Sequence, residues 1–306
     1  MSPPPRSLNF DEWSDTCDTL HAHTQVIGKL AVALAPPEPQ LQHAALRLTA
    51  RGWETAALPA PDGSGAVVAA LDLRTHQVLV EHSGGRHRGV PLTPNRAVGE
   101  VTTDVLDAVA QVAGRVGINT APQEVPWDTP LDEDAEHRTY EPDKVGRYFA
   151  SATQAALTLA RIVAPYRGRR SPVNAWWGSF DLAVNLFSGR AVEPPTSDFI
   201  MRNSSNAETI ALGWWPGDRR HPRAALFGYA FPAPEHFAAG TVEPAAATWD
   251  PDLGEFILDW DDVLAAPEPG LAALQFGRSL IAHATDVCGW EPALASSAEG
   301  VPPPVV

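Results

Sequence analysis

The chain has 306 residues, of which 44% are hydrophobic and 19% charged, and it carries a net charge of −15. That length can bury one large core without disulfides or a structural metal, and that composition excludes the disordered and membrane-embedded classes. The acidic balance argues against nucleic acid as a partner, because phosphate binding needs concentrated lysine and arginine.

Neither a basic segment followed by an apolar one at the start nor any later apolar run of the ~18 residues that span a bilayer occurs, so a cytoplasmic, membrane-free protein is expected. Cys17 and Cys288 stand at opposite ends of the chain and form no CxxC unit, which favours buried free thiols. Only Lys29 and Lys144 accompany twenty arginines. Guanidinium is the better fork for carboxylate, sulfate or phosphate, so each arginine cluster matters.

In chain order, residues 1–9 and 296–306 are Pro-rich or polar and predict disordered tails around a domain at 10–295, divisible into lobes at 10–118 and 141–295. Ser14 can cap a helix over 15–34, with Leu20, Ile27, Leu30 and Leu34 on one face and His21, Gln25 and Lys29 on the other. Pro36 and Pro37 end it. Short segments at 41–49, 67–73, 77–82 and 86–90, separated by turn residues, predict an antiparallel meander. A helix over 94–116, closed by Gly117, precedes an acidic, irregular connector at 119–140. A helix over 142–165, strands at 173–187, 224–231, 246–250 and 255–259, and a last helix over 267–288 complete the chain. Strict βαβ alternation, glycine-rich phosphate loops and internal repeats are all missing. The expectation is an α+β fold: a mainly antiparallel sheet with packed helices in a single globular domain.

The most unusual stretch is RGRRSPVNAWWGSFDLAVNLFSGR at 167–190. Asp181 lies between Phe180 and Leu182 in a strand-like run, with Asn185 further along the same face. A carboxylate in such a setting is paired, hydrogen-bonded or raised in pKa, so Asp181 is either a general base or a structural cap. Trp176 and Trp177 could line a ligand cavity or belong to the core. Arg167, Arg169, Arg170, Arg190 and Arg202 form either an anion site or a solvated basic patch.

Glu208 opens a strand and is a second acid or base, or a surface residue. His137 and Tyr140 are a proton-transfer pair or plain loop residues. The stripe of His21, Gln25 and Lys29 reads first as solvated; a covering layer would instead make Lys29 a buried cation within a binding site. His21 and His23 point apart on a helix, and His82 and His87 lack companions at ligand spacing, so no metal is expected.

The segments TLHAHTQVIGKLAVALAPP, LTARGW, SPVNAWWGSFDLAVNLFSGR, GWWPG, YAFPAP and DLGEFIL, taken together and in order, resemble the hallmark blocks of a family of unknown function from GC-rich bacteria. Family members carry histidine at the positions of Asn174 and Ala207, and this chain departs from them there. As a divergent member it resembles the aziridine-forming proteins of azinomycin-type azabicycle biosynthesis. That resemblance implies intramolecular ring closure by displacement of sulfate from an amino substrate, with a sulfotransferase and an acidic amino-group carrier protein as partners and no cofactor. Under it, Asp181 or Glu208 is the base and Arg190 and Arg202 meet the sulfate. Asn174, Trp176, Trp177, Asn185 and Lys29 would bind substrate, and Arg167, Arg169 and Arg170 would face the carrier. The alternative is a non-catalytic substrate-binding or scaffold subunit.

Overall fold

A computed structural model describes residues 9–194 and 199–295. The expected tails lie outside the described residues except for Asn9, whose side chain accepts from Asp11 N at 3.0 Å and caps the 3-10 turn Phe10–Glu12.

The first helix, α1 (Ser14–Leu34), is the axis of the molecule. Trp13 precedes it and Ser14 is its first residue, so the expected serine cap does not form. Its apolar stripe of Leu20, Ile27 and Leu30 enters the core, yet every residue from Thr16 to Ala31 is buried. The polar stripe is therefore not solvated. The connector around 121–127 lies across it, satisfying polar side chains with backbone groups.

The segment expected as a strand at 41–49 is mostly a 3-10 turn, Pro39–Ala44. Gln40 and Leu41 take φ of 54° and 52° there, which no strand accommodates. The first sheet then forms from β1 (Arg47–Leu48), β2 (Gly52–Glu54), β3 (Leu58–Pro59), β4 (Ala66–Asp72), β5 (Gln77–His82) and β6 (His87–Pro91), all antiparallel, in the order β1-β2-β4-β5-β6 with β3 also on β4. Helix α2 (Val98–Ala113) packs on β5 and β6 and ends before Gly114 rather than at Gly117. Gly114 has φ 99°, and a Cβ there would press on Asp62, so the chain turns at the first residue able to do so.

After the connector, α3 (Pro142–Val163) leads to the second sheet. Its strands are β7 (Asn174–Trp176), β8 (Asp181–Ala191), then, beyond the short helix α4 (Phe199–Ser204), β9 (Ala207–Trp215), β10 (Ala225–Phe231), β11 (Thr248–Asp250) and β12 (Glu255–Asp259). They are antiparallel in the order β11-β12-β10-β9-β8-β7. Helices α5 (Trp260–Ala265), α6 (Pro269–Val287) and α7 (Pro292–Ala295) close the chain. The expected run at 173–187 is thus a hairpin, and β9 is a full strand of which the sequence marked only the entry.

Alternation along β8, β9, β10 and β12 splits the second sheet into two faces. Leu182, Val184, Leu186, Ile210, Leu212, Trp214, Leu226 and Leu258 join the main core with α3 and α6. On the other face, register places Ala183, Gly213, Phe227 and Ile257 in one row and Asn185, Ala211 and Tyr229 in the next. Small side chains at 183, 211 and 213 hollow that face, and Phe227 lies over Gly213.

The sheets meet beside α1. Leu46 and Ala175 exchange backbone hydrogen bonds of 3.0 and 2.9 Å, and Trp177 Nε1 donates to Ala44 O at 3.0 Å. Gly28 of α1 lets the Trp177 indole lie against the helix, since a Cβ there would overlap the ring. Alanine in place of glycine gains about 1 kcal/mol of helix propensity. Overpacking a core typically loses ~1–3 kcal/mol, and this indole is hydrogen-bonded in place, so Gly28→Ala is expected to be a net loss. Urea denaturation should show a lower midpoint with an unchanged slope; a midpoint equal to or above wild type would contradict the packing described.

Candidate functional site

The β7–β8 hairpin loop, Trp177–Phe180, is held at three points. The buried His21 ring donates from Nε2 to Trp177 O and Gly178 O, both at 2.9 Å. Burial lowers the His21 pKa to about 4, so the ring is neutral and the donor role fixes its Nε2–H tautomer. The Trp177 indole is bound to Ala44 as above. Phe180 stacks on His21, Trp53 and Tyr148 at centroid distances of 5.0, 5.2 and 5.1 Å. It does so with φ 57°, a left-handed backbone costing roughly 1 kcal/mol or more for a residue with a Cβ.

This turn sets Asp181 on the hollow face of the second sheet. Ser179 Oγ donates to Asp181 Oδ1. A cavity of about 240 Å³ opens above it, walled by Trp176, Trp177, Phe227, Tyr229 and Phe231, with Asn185 and Thr209 along the floor. Gln40, Leu41 and the α4 residues Ile200, Met201, Ser204 and Ser205 form the opposite side. No lysine or arginine lines it among the described residues.

Burial pushes the Asp181 carboxyl up to about 7, the Ser179 hydrogen bond opposes this, and the Glu124 carboxylate adds to the rise. Glu255 follows the same logic: burial first, then the charge of Asp181, raise it to about 8. Continuing the β10–β12 register puts Glu255 opposite Tyr229, whose phenol is raised by burial and by Glu255, Asp181 and Glu124. Glu124 reaches the cavity from the connector, also with a left-handed backbone at φ 59°. Its carboxylate lies where a Cβ on Gly178 would be. Asp181 and Glu124 line this cavity, and Glu255 feels the charge of Asp181, with Arg220 partly offsetting the rise.

Of the residues expected at a site, Asp181, Trp176, Trp177 and Asn185 line this cavity. The others stand elsewhere. Glu208 is paired with Arg190 at 2.7 Å, accepts from Ser188 Oγ at 2.8 Å, and borders a separate depression with Phe231 and Cys288. Arg190 also donates to Cys288 O and Gly289 O, satisfying carbonyls at the end of α6. Arg202 is exposed on α4, and Arg167, Arg169 and Arg170 are exposed, with Arg169 over the Phe187 ring at 4.0 Å. Asn174 is fully buried and bonded to Arg47 and Gln42.

His137 and Tyr140 do not form a proton-transfer pair: His137 contacts the buried Asp134 at 2.7 Å, and Tyr140 OH meets His76 Nδ1 at 3.0 Å. Lys29 is buried with its Nζ 5.2 Å from the Trp177 ring centre and does not line the Asp181 cavity. Cys17 is buried and Cys288 half-buried, both reduced. No group of three potential metal ligands converges among the described residues, and no helix there is long and apolar enough to cross a membrane.

Sequence reasoning missed Ser179, Glu124, Tyr229 and Glu255. Glu255 carried one readable signal: it shares the strand face of the inward Ile257. Glu124 sits in an irregular connector and carried none.

A family model described as a family of unknown function (DUF5996) matches residues 5–297. The chain belongs to this family. Neither a curated protein nor a solved structure matches it significantly. DUF5996 membership spans nearly the whole chain, so the loop, the hollow sheet face and the connector all fall within the family's unit.

The raised Asp181 carboxyl has a thermodynamic signature. Between its ordinary pKa of 3.8 and about 7, the folded state holds a proton that the unfolded chain has released, so this group costs stability increasingly as pH rises and fully above 7. Asp181→Asn keeps an acceptor for Ser179 and removes that cost. Its stability should match wild type near pH 4 and exceed it at pH 8 by up to ~3–4 kcal/mol. Urea melts at the two pH values measure the gap; a gap that stays constant or closes with pH would refute the assignment.

Proposed function

We propose that this protein binds an ammonium-bearing small molecule in the Asp181 cavity and that Asp181 acts as the base removing its proton. The observation that carries this reading is the buried, raised carboxyl of Asp181 beside Glu124 and Glu255, in an aromatic cavity with no cationic lining residue among those described. Carboxylates and aromatic faces attract an organic cation and repel an anion. A base near pKa 7 is half ionised at neutral pH, and burial lowers the pKa of a bound ammonium, which narrows the uphill gap for proton transfer.

Intramolecular ring closure, as the resemblance suggests, is the narrower form of this proposal. Asp181 takes the ammonium proton, the freed lone pair forms a C–N bond to the neighbouring carbon, and the C–O bond breaks with its electron pair leaving on sulfate. A sulfotransferase and an acidic carrier protein belong to this narrower proposal as partners that supply the activated substrate. A second reading, a non-catalytic binding subunit, is favoured by one observation: Arg190 is engaged with Glu208 and none of the described cavity residues is a cation to meet the departing sulfate.

The test is sulfate release from an O-sulfated 1,2-amino alcohol by wild type, Asp181→Asn and Glu208→Gln. For the enzyme, Asp181→Asn is expected to lower kcat/KM by ~100-fold or more while Glu208→Gln stays within about twofold. Wild-type activity should fall as pH drops below about 7, where Asp181 becomes protonated. Unchanged turnover in Asp181→Asn sinks the base assignment. Ammonium binding by wild type without turnover supports the binding subunit.

A further inference from the structure

Lys29 is a buried ammonium that the Asp181 cavity does not use. It is 4% exposed, and its Nζ donates to Ala121 O at 2.7 Å and to Gln123 Oε1 at 3.4 Å. The ring of Trp177 lies 5.2 Å from it. Both acceptors are neutral amide oxygens, and no neighbouring charge among the described residues offsets its burial. A buried cation compensated only by neutral carbonyls is costly by several kcal/mol. Burial alone draws its pKa down to about 8.

Beside it lies a second cavity of about 390 Å³, between α1 and the chain at 117–123, with Val32, Ala33, Leu41, Ile118 and Trp177 as apolar walls. Three side chains supply its polar lining. Lys29 is one, with the side-chain amides of Gln123, whose Oε1 faces Lys29, and Asn119, whose Oδ1 accepts from Ala121 N at 3.0 Å. With their carbonyl oxygens so engaged, both amides have NH2 groups left as donors.

We infer that this cavity is a second ligand site, which takes the carboxylate of a short apolar organic acid on Lys29 and its hydrocarbon body against Val32, Ile118 and Trp177. One cation flanked by neutral donors suits a monoanion with two oxygens; a sulfate or phosphate dianion would need a second cation, and none lines the cavity among the described residues. The apolar walls exclude a fully polar acid, because such an acid would lose hydration without replacing it. The site does not rest on the Asp181 reading: it shares Leu41, Ala44, Trp177 and Ile200 with that cavity but lacks Asp181 and Glu124 and carries the opposite charge.

Isothermal titration of the full chain with hexanoate and with its neutral isostere hexanamide tests this. Wild type is expected to bind hexanoate at least ~10-fold more tightly than hexanamide. Lys29→Met should remove that preference, and Val32→Trp, which fills the cavity from the exposed face of α1, should abolish binding with Lys29 intact. Asp181→Asn should bind hexanoate as wild type does, separating this site from the first. Equal affinity for acid and amide, no binding up to ~10 mM, or unchanged affinity in Val32→Trp would each overturn the inference.

Discussion

One buried N–H, that of the His21 imidazole, divided between two carbonyl oxygens of the β7–β8 loop, fixes the rest of the site. Without a donor there, Trp177 O and Gly178 O would be buried and unpaired, at a cost of about 1–3 kcal/mol each, and the loop would have to move. Because it cannot move, Phe180 is forced into a left-handed backbone, fills the gap between Trp53 and Tyr148, and turns the next residue onto the hollow sheet face. The same helix face that holds the loop also holds the connector, through Gln25 paired with both the N–H and the C=O of Gln123. Glu124 follows directly. Both carboxylates that line the cavity, Asp181 and Glu124, are therefore positioned from one stripe of α1.

Electrostatically the arrangement concentrates the sign of the whole molecule. A chain with a net charge of −15 would be expected to spread its carboxylates into water, where repulsion is weak. Here Glu124 makes Asp181 harder to ionise and Asp181 does the same to Glu255, with Arg220 pulling Glu255 the other way. The arginines are used for other ends: Arg190 closes the end of α6, Arg219 pairs with Asp18, and Arg223 with Asp259. The aromatic walls keep the dielectric low, which is what makes the mutual repulsion large. Local strain at Phe180 and Glu124 accompanies this, as is usual where geometry serves a site rather than stability.

Most of the helices and strands were legible because burial follows period: α3 and α6 bury one stripe, and β5 alternates along its length. The exceptions have physical causes. Leu41 reads as the start of a strand, but Gln40 and Leu41 are both left-handed, and Gln42 beyond them accepts from Asn174. In β9, Ala207, Ala211 and Gly213 dilute the strand pattern, and the space over Gly213 is taken by the Phe227 ring. Asp181 was legible as a charge trapped between Phe180 and Leu182. The stripe of His21, Gln25 and Lys29 was misread as solvated because amphipathicity says which face is polar and not what covers it; a polar connector covers a polar face as well as water does. Glu124 and Glu255 reach the site only through tertiary folding, and no local spacing announces that.

The hollow in the second sheet comes from missing atoms rather than from a distorted backbone. Ala183 lines the cavity from a regular, paired strand, with Ala211 and Gly213 on the same face, so the chamber's depth is set by how little side chain these positions carry. Paralogues could enlarge or shrink the chamber one carbon at a time while the carboxylates, the loop and the helix that fixes them stay unaltered. Such a scaffold separates what it admits from what it does, and a family built on it can diversify its ligands without rebuilding its chemistry.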